Sequence, residues 1–236
     1  MKYYWINDNG SVNQRLLMEK RCSNIPNERI AISGDILSKS NIIKHPHSSN
    51  TSNKEYYKTL SHLLAIQKGY LGGDECFIVM EDNICISKLN MNKLMIYMNN
   101  FELDNNCKID ILQIYTSNHT HISKMYHTHF VTNGKLIVKR DADYSGGGCY
   151  LITRNGAKKI LDRIIKYQDH YDFSDSKSGT VDDIIFNKFE TYTLTYPILL
   201  TDGCSNGSDG SIMHQTITNN VIKRIHERDD RTYLLT

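Results

Sequence analysis

The sequence predicts an α/β fold with a mainly parallel central sheet and helices on both of its faces. Three observations carry this expectation. Short apolar runs, such as Cys76–Met80 and Ile109–Ile114, alternate along the chain with segments of helical apolar spacing. Turn-forming clusters separate them, among them Asn7-Asp8-Asn9-Gly10 and Gly72-Gly73. The 236 residues, 39% of them apolar, suffice for one core. No boundary shows, so residues 1–236 read as a single domain with a polar tail from about 218 to 236.

The elements follow in order. Tyr3 to Asn7 reads as a first strand, and Ser11 or Asn13 can cap a helix running to about Arg21. Arg29 to Ile32 is a second strand. Ser38 to Lys54, rich in Ser, Asn and His, reads as a surface loop of a length that is unusual in compact domains. Tyr56, Leu60, Leu63, Leu64 and Gln67 keep helical spacing and predict a helix over about 55–69. Strand Cys76–Met80, a helix over about 91–100 and strand Ile109–Ile114 come next. His119, His121, His127 and His129 read as a solvated loop, because no cysteine or acid stands in register to complete a zinc site. Val131–Val138 suggests a hairpin around Asn133-Gly134. Gly148–Ile152 is a short strand, and Thr153 caps a helix through Tyr167 with Ala157, Ile160, Leu161, Ile164 and Ile165 as its core face. A further helix starts at Thr180 or Val181, Tyr192–Leu199 is a late strand, and Gly203–Ser211 is rich in Gly and Ser.

Composition excludes several classes. Lys plus Arg number 28 against 26 acids, a formal charge of +2, and the basic tail Lys223–Arg231 also carries Glu227, Asp229 and Asp230. Without an aromatic-basic stripe, nucleic acid is not an expected partner. The six cysteines have no C-x-x-C spacing and fit a reducing compartment. The first residues do not resemble a signal peptide, and no apolar run approaches the roughly 18 residues of a membrane helix. A soluble, cytoplasmic chain is expected.

The chemistry concentrates in a few places. The strand Cys76–Met80 stops in Glu81-Asp82-Asn83, which delivers carboxylates to the carboxyl edge of the sheet, where open α/β sheets bind ligands. Oxygen donors there suit a divalent cation that neutralises a leaving diphosphate. Asp82 is the first candidate, with Glu81 and Asn83 beside it, although neighbours on a strand point to opposite sides. In Val181-Asp182-Asp183, two acids in a first helical turn favour the helix dipole, and one of them can project into a cleft as a general base. Gly146-Gly147-Gly148 allows close backbone approach, but is neither a dinucleotide fingerprint nor a P-loop. His214, beside the Gly-rich segment, can supply a nitrogen ligand or a phosphate donor. Ser61-His62 is no hydrolase pair, since neighbours on a helix diverge and a Gly-x-Ser-x-Gly elbow is missing.

Taken in order, these segments resemble glycosyltransferase family 25, which includes lipopolysaccharide-type and procollagen galactosyltransferase domains. Tyr4-Trp5-Ile6-Asn7 with Arg15 resembles the family's opening strand and helical arginine. Leu60-Ser61-His62-Leu63 is similar to its Leu-Ser-His-Leu helix, and Ile78-Val79-Met80-Glu81-Asp82-Asn83 to its Val-Leu-Glu-Asp-Asp. Ile109-Asp110-Ile111-Leu112-Gln113-Ile114, then Gly148-Cys149-Tyr150-Leu151-Ile152-Thr153 with Gly156-Ala157, and finally Val181-Asp182-Asp183 continue the likeness across residues 3–200.

The resemblance implies a GT-A-like nucleotide-diphospho-sugar transferase fold, a UDP-sugar donor and Mn2+ or Mg2+. It implies donor-binding roles for Asn7, Arg15, His62, Glu81, Asp82, Gly147 and Gly148, and metal ligation by Asp82, Asn83 and His214. It makes Asp182 and Asp183 the candidates for the acceptor-activating base. The implied activity is inverting transfer of a hexose, galactose or glucose, to a hydroxyl of a glycan or glycoprotein acceptor. Asn83 departs from the pattern: an amide is a weaker ligand than a carboxylate. That departure motivates a second expectation, a degenerate member that binds a sugar nucleotide or glycan without transferring it.

Overall fold

The computed structural model describes residues 1–8, 11–32, 42–47, 51–167, 170–202 and 209–229. The turn residues Asn9 and Gly10, residues 38–41 and 48–50 of the predicted 38–54 loop, residues 203–208 of the Gly-rich segment and residues 230–236 lie outside them. The elements are β1 (Lys2–Asp8), α1 (Val12–Arg21), β2 (Asn27–Ile32), β3 (Ile42–Lys44), α2 (Asn53–Leu71), β4 (Cys76–Glu81), β5 (Ile84–Cys85) and α3 (Met91–Asn105). Then come β6 (Ile111–Gln113), α4 (His119–Met125) widening into a π-helical stretch (Tyr126–Val131), β7 (Ile137–Lys139), β8 (Cys149–Thr153), α5 (Arg154–Ile164), β9 (Ile165–Tyr167) and β10 (His170–Asp172). A π-helical turn (Asp182–Phe186), β11 (Thr191–Leu194), β12 (Leu200–Thr201) and α6 (Asp209–Arg228) complete the described chain.

Among the described residues, seven strands form the central sheet in the order β2-β1-β4-β8-β6-β11-β7. β1 runs parallel to β2 and β4, and β6 parallel to β11, while β8 and β7 run antiparallel to their neighbours. Alternation along each strand divides the core in two. Trp5, Ile78, Met80, Leu112 and Leu151 face α1, α3, α4 and α6. Tyr4, Ile6, Phe77, Val79, Ile111, Tyr150 and Ile152 face α2, α5 and the π-helical turn. Burying each such side chain contributes roughly 1.5–3 kcal/mol. The result is the expected sheet, mostly parallel and covered on both faces.

Local signals set most helix ends. Ser52 caps α2 in a reciprocal box: the Glu55 amide donates to Ser52 Oγ at 3.3 Å, and the Ser52 amide donates to Glu55 Oε2 at 2.9 Å. Asn90 and Asn118 cap α3 and α4. Thr153 caps α5 as predicted, its Oγ1 accepting from the Gly156 amide at 3.1 Å.

Several expectations fail for identifiable reasons. The predicted loop is interrupted by β3 at Ile42–Lys44, and the capping box starts α2 at Asn53, two residues earlier than its apolar spacing suggests. Thr51 is buried and accepts from the Gly179 amide at 2.9 Å. The Asn133-Gly134 turn exists, with Gly134 at φ 63°, but it follows the π-helical stretch, and Ile137–Lys139 pairs with β11 instead of forming a hairpin. His119, His121, His127 and His129 are therefore helical residues rather than a loop. α5 stops at Ile164, and the chain continues as β9. The late strand is Thr191–Leu194. The predicted polar tail is corrected most: residues up to Arg228 belong to α6, which buries Thr218, Ile222 and Ile225. Its apolar stripe is narrow enough to be hidden by polar residues on every other face.

Candidate active site

Register brings the acids to one edge. β1 pairs with β4 so that Ile6 lies opposite Glu81, which sets Asn7 beside Asp82. Asn7 is buried, its Nδ2 donates to Asp82 Oδ2 at 2.6 Å, and its Oδ1 accepts from Arg29 Nε at 3.1 Å. β8 runs back along β4, so the glycine loop before it reaches the same edge, where Gly148 O accepts from the Glu81 amide at 2.8 Å.

Glu81 and Asp82 then diverge, as neighbours on a strand must. Asp82 stays on the Trp5 and Asn7 side. Glu81 turns toward α2, where Lys58 Nζ lies 2.7 Å from its Oε1 and His62 Nε2 lies 3.9 Å away. Lys58 and His62 are one helical turn apart, which places both on one face of α2. Burial alone would raise the Glu81 carboxyl, but Lys58 outweighs it and holds the group below its ordinary value. The same pair raises Lys58. His62 has no exposed surface, and burial pushes it down to about 3, so it is neutral. Its Nδ1 lies 3.1 Å from the Tyr150 hydroxyl.

A second centre forms around the π-helical turn. Asp182 Oδ1 accepts from Arg140 Nη2 at 2.7 Å and from the Gly146 amide at 3.3 Å. Among the described residues no hydrogen bond reaches its Oδ2, and the side chain keeps 29% of its exposure. Burial raises Asp182 above its ordinary value against the opposing pull of Arg140 and Lys58. Arg140 is 2% exposed and fully engaged: Nε donates to Gln113 at 3.1 Å, Nη1 to Asn187 at 2.6 Å and Nη2 also to Tyr144 O at 2.6 Å. Gln113 Nε2 in turn donates to Gly146 O at 3.0 Å. Gly146 adopts φ 140°, and a side chain there would meet Ser117 N at 2.8 Å, so only glycine fits. Asp183 differs from its neighbour. Ser178 Oγ donates to one of its oxygens and Asn187 Nδ2 to the other at 2.8 Å.

No family model matches this chain. No curated protein matches it either. Among solved structures the chain is similar to the apo crystal structure of mouse xyloside xylosyltransferase 1, at 10% identity and a TM-score of 0.32, covering 78% of this chain. The chain spans 66% of that protein's chain, just under two thirds of its length. A likeness this slight carries no argument, so the functional reading rests on the residues.

The structure thus brings Asn7, Glu81, Asp82, Gly148 and Asp182 to one edge, and the other expected members have surroundings of their own. Arg15 pairs with Glu19 on α1 at 3.7 Å. His62 lies wholly inside and can act on a ligand only through Glu81 or Lys58, which corrects its expected direct contact. Gly147 is required by packing, since a side chain there would meet Val181 Cγ1 at 2.6 Å. His214 lies on α6 with its ring 5.9 Å from that of His119. Asn83 accepts from the Asp202 amide at 2.8 Å through its backbone carbonyl. Among the described residues no three His, Cys, Asp or Glu side chains converge; Asp82 and Asn83 follow β4, and His214 lies on α6. No described helix is long and apolar enough to cross a membrane.

Sequence reasoning missed Lys58 and Arg140. The four-residue spacing from Lys58 to His62 was a visible signal that the two share a helix face. Arg140 gave none, because its side-chain partners lie 27 to 47 residues away.

Proposed function

We propose that this chain is a glycosyltransferase with a GT-A-type site, moving a hexose from a UDP-sugar to a hydroxyl of a glycan or protein-linked acceptor with inversion. One observation supports this reading above the others: Glu81 and Asp82 at the end of β4 and Asp182 in the π-helical turn stand at one sheet edge, with Lys58 acting electrostatically on both Glu81 and Asp182. Two carboxylate centres at one sheet edge serve the two ends of a displacement. Asp182 takes the proton of the acceptor hydroxyl through its free oxygen as the hydroxyl oxygen bonds to the anomeric carbon. The bond from that carbon to the phosphate oxygen breaks, and its electron pair leaves with UDP. Arg140 and the Gly146 amide hold Asp182 in place through the other oxygen. Asp183, with both oxygens engaged, anchors the turn and is not the base.

The test is UDP release with a panel of UDP-sugars and glycan acceptors. Asp182→Asn is expected to lower turnover about 10²–10⁴-fold, with donor binding retained. Turnover within tenfold of the wild type in that variant would remove Asp182 from the mechanism. A second reading, sugar-nucleotide or glycan binding without transfer, draws on Asn83, whose neutral amide is a weaker cation ligand than a carboxylate. Donor binding without UDP release from any donor would select it.

A further inference from the structure

A departing diphosphate needs positive charge at its oxygens, and enzymes supply it with a metal ion or with Lys and Arg. The edge offers several cations. Arg140 is buried, with Nε, Nη1 and Nη2 all committed to protein acceptors. Arg21 is tied to Asp202 and to Ile84 O. Arg29 holds Asn7. Lys58 is different: its side chain is 41% exposed, among the described residues its ion-pair contact is with Glu81 at 2.7 Å, and it rides on a flexible four-carbon stem. Its partner Glu81 ends β4 immediately before Asp82, and the charge of Asp182 also acts on Lys58.

We propose that Lys58 is the phosphate-binding cation of the donor site: when donor enters, its ammonium leaves Glu81 for a diphosphate oxygen and supplies the charge that a divalent ion would otherwise bring. The inference rests on the UDP-sugar reading above. Glu81, released from Lys58, accepts instead from a sugar hydroxyl, with neutral His62 behind it adding no competing charge. The contact strengthens as the bond to the anomeric carbon breaks, because the electron pair and its charge move onto the phosphate oxygen.

Calorimetric titration with UDP and with uridine, in EDTA, tests this on the wild type, Lys58→Met, Lys58→Arg and the double variant K58M/E81Q. The wild type is expected to bind UDP in EDTA. K58M should weaken UDP at least tenfold and leave uridine unchanged, with K58R falling between. The double variant removes the repulsion of an unpaired Glu81, so a tenfold loss of UDP that persists there reports the Lys58 contact itself. Wild-type affinity for UDP in the double variant, equal weakening of UDP and uridine, or UDP binding only with Mn2+ would each overturn the proposal. A wild type that binds no UDP under any condition would instead remove the donor reading beneath it.

Discussion

The acidic pair Glu81-Asp82 and the acidic pair Asp182-Asp183 look alike in the chain and are held in opposite ways. At the end of β4 the two carboxylates part to opposite faces, and the cation on Glu81 is a half-exposed lysine with one carboxylate partner. At the π-helical turn, one carboxylate is locked on both oxygens, and the other rests on a buried arginine that is itself bound four times. The first arrangement can exchange its cation for a ligand. The second cannot move, which suits a group that must meet a reacting hydroxyl at one fixed position. In the function proposed above, rigid and exchangeable charge divide the work of one sheet edge.

Substitutions can break that contrast. Beyond the loss of turnover expected for Asp182→Asn, the largest effect falls on the rigid side. Arg140→Met leaves Asp182 without its charge partner and Gln113 Oε1 and Asn187 Oδ1 without this donor, and should destabilise the protein by about 3–5 kcal/mol in urea unfolding. A loss below 1 kcal/mol would mean that the arginine is not the lock described.

The next effect sharpens the picture behind Glu81. His62 has a folded value of about 3, below the ordinary 6.5, so the unfolded chain binds its proton first as pH falls. The stability linked to His62 is complete above pH 6.5 and drains toward pH 3 by about 1.4 kcal/mol per pH unit. Glu81 and Lys58 face the same ring, and Glu81, held below its ordinary value, adds its own loss only where it titrates, below about 4.5. Urea unfolding at pH 7.5, 6 and 5 should show a shallower decline for His62→Gln than for the wild type. Equal slopes would show that the imidazole is not buried as the neutral form.

The smallest effect belongs to Asp183→Asn. One of its two accepted hydrogen bonds survives, so stability should fall by about 1 kcal/mol and turnover should stay within a few-fold. A turnover loss matching that of Asp182→Asn would exchange the roles of the two acids.

Much of the fold was legible from the chain because its signals are local. Apolar runs announced β1, β4 and β8, the spacing from Tyr56 to Leu64 announced α2, and Thr153 announced α5. Where apolar stripes were thin, as in α6 with Ile222 and Ile225 amid polar residues, the helix passed for a tail. The Asn133-Gly134 turn was read correctly as a turn but assigned to the wrong elements, since a turn sequence does not say what it joins.

The sequence by itself determined that acids stand at a strand end and at a helical turn, and that glycines precede β8. Helix caps and strand alternation act within a few residues, so that much is written locally. Only the tertiary structure decided which acid keeps a free oxygen, that His62 is sealed and neutral, and that Lys58 and Arg140 serve as the two cations. Those outcomes depend on partners far apart in the chain, such as Asn7 and Asp82 at 75 residues and Arg140 and Asp182 at 42, and on burial, which exists only once the sheet and its helices have closed around them.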